Sequence, residues 1–204
     1  MAQRCTAMDP TPLDLSETPE ALQPLCAACA QYVLTATGVM LDLTPETLPV
    51  LDHYLVTART ASADLKDLVT RAAGAYFGEL VRTLYPARWH LTDDVEGWRL
   101  EFERCFLHFN PAAFVREAIE GADAVEGGAG YNVATDDLDL LQAALAVFGD
   151  VTDEDYYRLT MRLEALGPLV DRLTANALAR NEATLDYGPE LYARALDGDP
   201  AARN

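Results

Sequence analysis

The sequence predicts an α+β fold, with a small, mostly antiparallel sheet packed on one central helix and an all-helical C-terminal half. Three observations predict it. Residues 63–84 repeat apolar side chains every three or four positions around a wide arc, the pattern of a helix buried against more than one neighbour. Between positions 88 and 109 that period gives way to short alternating segments of the kind that form strands. From position 135 onward the helical spacing returns and persists almost to the end.

Taken in order, residues 1–17 hold two prolines and little periodicity, and read as a loose N-terminal arm. Thr18-Pro19-Glu20 combines a hydroxyl cap, a proline suited to the first helical position and an acid near the positive helix end. A helix therefore starts here, with Leu22, Leu25, Cys26, Cys29, Val33 and Ala36 as its apolar face and Gly38 as its end. Residues 39–43 alternate and predict a short strand. Thr44-Pro45-Glu46 repeats the start signal for a helix with Leu48, Leu51 and Leu55 inward, and Pro49 predicts an irregular first turn. Ser62 then caps the central helix. Its main stripe is Leu65, Leu68, Val69, Ala72, Tyr76, Leu80 and Leu84, widened by Phe77 and Val81, and Pro86 stops it.

Residues 88–91, 98–103 and 105–109 read as strands that join residues 39–43 in the sheet. Asn110-Pro111 opens a helix carrying Phe114, Val115, Ala118 and Ile119. Residues 121–134 contain four glycines and predict a mobile loop. Thr135 starts a helix with Leu140, Leu141, Ala144, Leu145 and Phe148 on one face. Thr152 starts a longer one through Tyr156, Leu159, Leu163, Leu166, Val170, Leu173 and Ala177, which Gly167-Pro168 should split or kink. Residues 189–196 suit a short helix and 197–204 a polar tail. Residues 18–196 thus read as one domain, made of an α+β part (18–120), the Gly-rich loop and a helical part (135–196).

With 204 residues, half of them apolar, the chain can bury a core without disulfides or metals. The abnormal quantity is a formal net charge of −18, from 33 acidic against 15 basic residues. That sign disfavours non-specific binding to nucleic acid or to anionic membrane, and would steer the protein towards basic partners. Arginine supplies nearly all the positive charge, Lys66 being the one lysine, a usage expected of a GC-rich bacterial genome. No apolar run is long enough to span a membrane, and the first twenty residues lack the pattern of a secretory signal. A cytoplasmic protein with Cys5, Cys26, Cys29 and Cys105 reduced is the expectation.

Several groups are candidates for chemistry. Cys26 and Cys29 form a CxxC, which in other settings is a redox pair or half a zinc site. Here both lie in the apolar stripe of a helix, two turns from its start, so packing is the expected role and no metal or cofactor is implied. His53, His90 and His108 show no metal-binding spacing, although His90 and His108 fall on neighbouring expected strands and would share a face. In Gly74-Ala-Tyr-Phe-Gly78-Glu79 two helix glycines each cost about 1 kcal/mol relative to alanine. Something is therefore expected to approach closely there. Glu79, at the edge of the stripe, would be a base of raised pKa or the partner of Arg82, Arg88 or Arg99. Tyr76, Glu79, His90 and His108 together make one candidate pocket. Asp136, Asp137, Asp139, Asp153, Glu154 and Asp155 make an acidic cluster that would meet a basic partner. Most of these acids also open helices, where the macrodipole favours them.

Residues 41–55 (LDLTPETLPVLDHYL), with Gly74-Ala-Tyr-Phe-Gly-Glu79 and Trp89, resemble a loose group of uncharacterised bacterial domains over about positions 38–120. In that group a short strand, a capped helix and a GAYxGE helix precede a tryptophan-bearing strand. The resemblance implies an α+β first half and brings no activity with it. The expected function is a non-enzymatic acidic module of inhibitor, immunity or adaptor type that binds a basic protein. The alternatives are a ligand-binding or hydrolytic site around Glu79 and the sheet histidines, or a metal- or redox-responsive regulator using Cys26 and Cys29.

Overall fold

A computed structural model describes residues 13–121, 124–126, 128–149, 151–180 and 186–197, and leaves the side chains of Asp153 and Glu154 outside that description. Its fold is α+β, as the sequence predicts: helices around a four-stranded antiparallel sheet. At the centre runs α3 (Ala63–Leu84), in which every residue from Ala72 to Val81 is buried. Leu65, Leu68 and Leu84, expected in its buried stripe, are instead more than 40% exposed, because the helix overshoots the core at both ends. The most extensive packing on α3 comes from α1 (Gln23–Thr37) and α4 (Pro111–Glu120).

The glycines of α3 explain how these helices come so near. A Cβ on Gly74 would lie 2.7 Å from the Cα of Ala112 in α4, and one on Gly78 would lie 2.2 Å from the Trp89 indole. Only bare backbone at these two positions admits both neighbours. α4 is itself fixed at its start by Asn110, whose side-chain oxygen accepts from the Ala112 and Ala113 N–H groups at 2.8 and 3.1 Å.

Three expectations about the first half need correction. α1 begins at Gln23, not beside Thr18, because the Thr18 hydroxyl is spent on the distant Glu79 at 2.7 Å and caps nothing. Residues 13–17, read as loose arm, lie against the protein, with Leu13 and Leu15 packed on the core. Residues 39–43 do not pair as a strand. The Asp42 carboxylate accepts from the Thr44 N–H and from the Thr44 and Thr47 hydroxyls, so local bonds replace a ladder. Leu43 turns into the left-handed region, φ 60°, where its N–H donates to the Tyr76 hydroxyl at 2.7 Å. α2 (Leu48–Ala58) follows a short 3-10 turn over Pro45–Thr47, the irregular start that Pro49 announces.

The sheet is a meander of β1 (Ala87–His90), β2 (Arg99–Phe102), β3 (Leu107–Phe109) and β4 (Asn132–Val133), in that order. Its fourth strand thus comes from the Gly-rich segment and not from residues 39–43. Ala87, Trp89, Leu100, Phe102, Leu107 and Phe109 share the face towards α3. Arg88, Glu101, His108 and Asn132, opposite one another in register, form a polar row on the other face. α8 (Pro189–Leu196) packs on part of that row: Tyr192 donates from its hydroxyl to the Leu107 carbonyl at 2.7 Å and packs with Tyr187 on Phe106, while Asn132 stays exposed.

The C-terminal part adds α5 (Leu138–Leu145), α6 (Asp153–Tyr156) and α7 (Leu159–Ala179), with α7 packed on α2, α4 and α5. α7 runs unbroken through Gly167 and Pro168, so the helix is not split there. Burial of Leu163, Ala165, Leu166 and Leu169 on both sides of the proline holds the helix together.

Two buried carboxylates tie this part to the first. Asp52 in α2 accepts from the Leu159 N–H at 2.7 Å, and from the Thr160 N–H and hydroxyl at 3.1 and 2.6 Å. A side chain more than a hundred residues away thereby caps the start of α7. Glu117 in α4 pairs with Arg162 of α7 at 2.7 Å, with both side chains 3% exposed. Its second oxygen accepts the Ala129 N–H at 2.6 Å. The Arg162 guanidinium lies 4.5 Å from the ring centre of Phe114 and 4.4 Å from that of Tyr156.

Gly78→Ala is expected to destabilise the protein in urea titration by about 1–3 kcal/mol, overpacking exceeding the helix-propensity gain of about 1 kcal/mol. A raised midpoint would mean that the Trp89 indole moves aside freely. Arg162→Met, which strands Glu117, should cost about 3–5 kcal/mol, and adding Glu117→Leu should recover much of it. Equal losses for the single and double variants would show that the ion pair itself is not what matters.

Candidate functional site

The candidate pocket of Tyr76, Glu79, His90 and His108 is not one site. Alternation along β1 points Trp89 towards α3, and so turns Arg88 and His90 to the far side of the sheet. Tyr76 and Glu79 therefore lie on one side and both histidines on the other. The histidines do share a face, but β2 separates them: His90 stands opposite Arg99, and His108 opposite Glu101.

Glu79 is 1% exposed and surrounded by donors. It accepts from the Thr18 hydroxyl at 2.7 Å, the Trp89 indole N–H at 2.5 Å, and Arg82 Nε and Nη2 at 3.1 Å each. Arg82 also donates to the Glu17 carbonyl at 2.6 Å. The carboxylate thus gathers the chain before α1, the body of α3 and strand β1. Its hydrogen-bonding capacity is saturated by donors of the same chain. Tyr76 is similarly engaged with Leu43, and burial pushes its phenol above the usual range.

Glu79 and Thr18 themselves line an open cavity of about 350 Å³, whose walls also include Asp14, Glu17, Asp42 and Arg82. Three of those four side chains are acidic and exposed.

On the other face, His108 is enclosed by the Phe106 and Tyr192 rings, with centroids at 5.7 and 6.3 Å. Its Nδ1 is buried and makes no hydrogen bond within the described protein. Burial, then the charge of Arg99, pulls the imidazole down to about 4. Glu101 is 3% exposed between two guanidiniums, Arg88 and Arg99, each 3.2 Å away. This is a half-buried polar layer beside α8.

Cys26 and Cys29 are both buried and free, three positions apart in α1 and packed in two different apolar clusters. Burial, assisted by the nearby Glu79 charge, pushes the Cys26 thiol up to about 12, and burial raises Cys29 as well. A nucleophilic or redox thiol needs the opposite shift. Cys105 is pushed up to about 12, by burial and then Asp137. Among the described residues no three His, Cys, Asp or Glu side chains converge to hold a metal ion.

The acidic cluster divides. Asp136 and Asp139 are exposed at the start of α5. Asp137, between them, is buried and accepts from Asn176 Nδ2 at 2.7 Å and Arg180 Nη2 at 2.6 Å, pinning α5 to the end of α7. Asp155 exchanges bonds with Thr152, whose hydroxyl donates to it at 2.9 Å, and pairs with Arg158 at 3.0 Å. The side chains of Asp153 and Glu154 lie outside the described residues.

Sequence reasoning passed over Asp52, Glu101, Glu117 and Arg162. Three of them carried a signal: Asp52 follows Leu48 by four, Glu117 follows Phe114 by three, and Arg162 follows Leu159 by three. Each sits on an apolar stripe, where a charge needs a partner. Glu101 had none, because its burial depends on α8 docking from far along the chain. Burial holds the Asp52 and Glu117 carboxyls above the usual range, against hydrogen bonds that pull the other way.

His108 makes stability depend on pH. Its imidazole titrates near 4 when folded and at an ordinary 6.5 when unfolded, so the unfolded chain takes up the extra proton in between. The histidine's contribution is complete above pH 6.5 and is lost as pH falls towards 4, by up to about 1.4 kcal/mol per pH unit. His108→Gln should flatten the stability profile over that window in chemical denaturation, and an unchanged slope would contradict it.

Compared with known proteins, the chain matches no family model, no curated protein and no solved structure at significance.

Proposed function

We propose that this protein is a non-enzymatic binding module, of inhibitor, immunity or adaptor type, whose acidic surface engages a basic partner protein. The observation that carries this reading is where the positive charge goes. Lys66, Arg82, Arg88, Arg99, Arg116, Arg158, Arg162 and Arg180 each lie within 3.2 Å of a carboxylate of the same chain. Among the described residues, these eight basic side chains answer seven acidic ones: Glu79, Glu96, Glu101, Glu117, Glu120, Asp137 and Asp155. Asp136, Asp139, Glu46, Asp64 and Asp67 stand exposed outside those pairs. A surface left this negative attracts cationic partners over a range set by ionic strength.

Saturation of Glu79 and the upward shift of the buried thiols favour binding over catalysis or redox sensing. No described helix is long and apolar enough to cross a membrane.

Affinity capture from the native cell at low salt, followed by kinetics with the purified partner, tests the reading. Association should slow steeply as salt is raised, since charges beyond a Debye length of about 8 Å are screened at physiological ionic strength. Asp136→Lys with Asp139→Lys, sparing the buried Asp137, should reduce mainly the on-rate. Partners whose association ignores both salt and the double reversal would refute the proposal.

A further inference from the structure

α8 is held to the rest of the protein through a small part of the sheet. The Tyr192 hydroxyl, besides donating to the Leu107 carbonyl, accepts the Leu107 N–H at 3.2 Å, and the Tyr187 N–H donates to the Glu103 carbonyl at 3.0 Å. Phe106, Ala134, Tyr187, Tyr192 and Ala195 form a buried apolar cluster separate from the larger one around α3. An element that buries its own small cluster can leave without opening the main core, and such elements make up the low-stability end of a fold.

The sheet surface that α8 meets is charged. The Arg88 guanidinium lies 5.0 Å from the Tyr192 ring centre and shares Glu101 with Arg99, each cation 3.2 Å from that carboxylate. His108, opposite Glu101 in register, stands edge-on to the rings of Phe106 and Tyr192. On its other side β4 presents the uncharged Asn132. In the turn between β2 and β3, Glu103 is half-buried and Arg104 exposed. α8 turns the phenols of Tyr187 and Tyr192 inward, and its charged residues Glu190 and Arg194 are exposed. The carboxylate beside His108 is thus already divided between two arginines.

A neutral His108 fits this place and a charged one does not. Both nitrogens of an imidazolium are donors, and Nδ1 is buried with no hydrogen bond within the described protein. A proton there would face no acceptor while α8 is docked, and its charge would join those of Arg88 and Arg99.

We propose that α8 is an acid-released latch: protonation of His108 frees the helix from the sheet and uncovers Phe106 and the Arg88–Glu101–Arg99 row, while the core around α3 stays folded. The proton comes from solvent and stays on the imidazole. With α8 docked His108 titrates near 4, and with α8 away at an ordinary 6.5, so the released form binds the extra proton in between. Release is therefore least above pH 6.5 and grows as pH falls, by up to about tenfold per pH unit.

Hydrogen exchange of the whole protein tests it, read by mass spectrometry as protection factors for residues 189–196 and 72–81 at pH 7 and pH 5. α8 should exchange ahead of α3 at both values, and its protection should fall about tenfold or more between them. In His108→Gln the α8 protection should change by less than about threefold over the same interval. Tyr192→Ala, which removes the ring and hydroxyl that hold the helix, should leave α3 protected and let His108 titrate near 6.5 by NMR.

If α8 and α3 exchange together at both pH values, the helix leaves only with the whole fold and the proposal is overturned. It is equally overturned if His108→Gln keeps the wild-type pH dependence, or if His108 still titrates near 4 in Tyr192→Ala. The two variants are independent, so misfolding of one leaves the other decisive.

Discussion

The arrangement of this protein depends first on one buried ion pair, Glu117 with Arg162. Removing two charges from water costs several kcal/mol each, and their attraction repays it only where the remaining hydrogen-bonding capacity is also met. Glu117 meets that condition by accepting from Ala129 as well as from Arg162. Arg162 meets it in part. Its Nε stays unpartnered within the described protein, but Phe114 and Tyr156 offer the guanidinium their π faces. The pair exists only when α4, the Gly-rich segment and α7 are all in place. Burying these charges therefore ties α4, the Gly-rich segment and α7 to one another.

The same device recurs at lower cost elsewhere. Asp52 holds the start of α7, Asp137 holds its end against α5, and Glu79 holds the chain before α1 against α3 and β1. In each case a carboxylate reaches N–H or O–H donors brought from another element. An exposed surface pair would be worth little, whereas these are mostly buried, and loss of either partner leaves a costly orphan. Several of the chain's acids are thus internal fasteners and say nothing about a partner.

What the sequence made legible follows from which forces are local. α3 could be read to its boundaries, because a long apolar period and the following Pro86 act within a few residues, although Ser62 at the N-cap position makes no capping side-chain bond. The three strands between 87 and 109 were readable by alternation, and so was the need for close approach at Gly74 and Gly78. The failures share a cause. Residues 39–43 alternate well enough for a strand, but Tyr76 and the Asp42 turn decide their course, and neither is visible in the alternation. The fourth strand hid in a glycine-rich segment because two residues suffice to pair with β3. The supposed pocket failed on parity. One step along β1 separates Trp89, which reaches Glu79, from His90, which faces the other way. His108 is half-buried against Tyr192 of α8, which returns from nearly ninety residues away, a contact no local pattern announces.

This separation of inner from outer acids changes what net charge can mean for function. A count of 33 acids against 15 bases suggested a cluster over positions 136–155, yet Asp137 within it is a structural fastener and Asp155 answers Arg158. The negative excess that remains outside is diffuse, and diffuse charge accelerates encounter without choosing where a partner settles. Choice requires shape and apolar area.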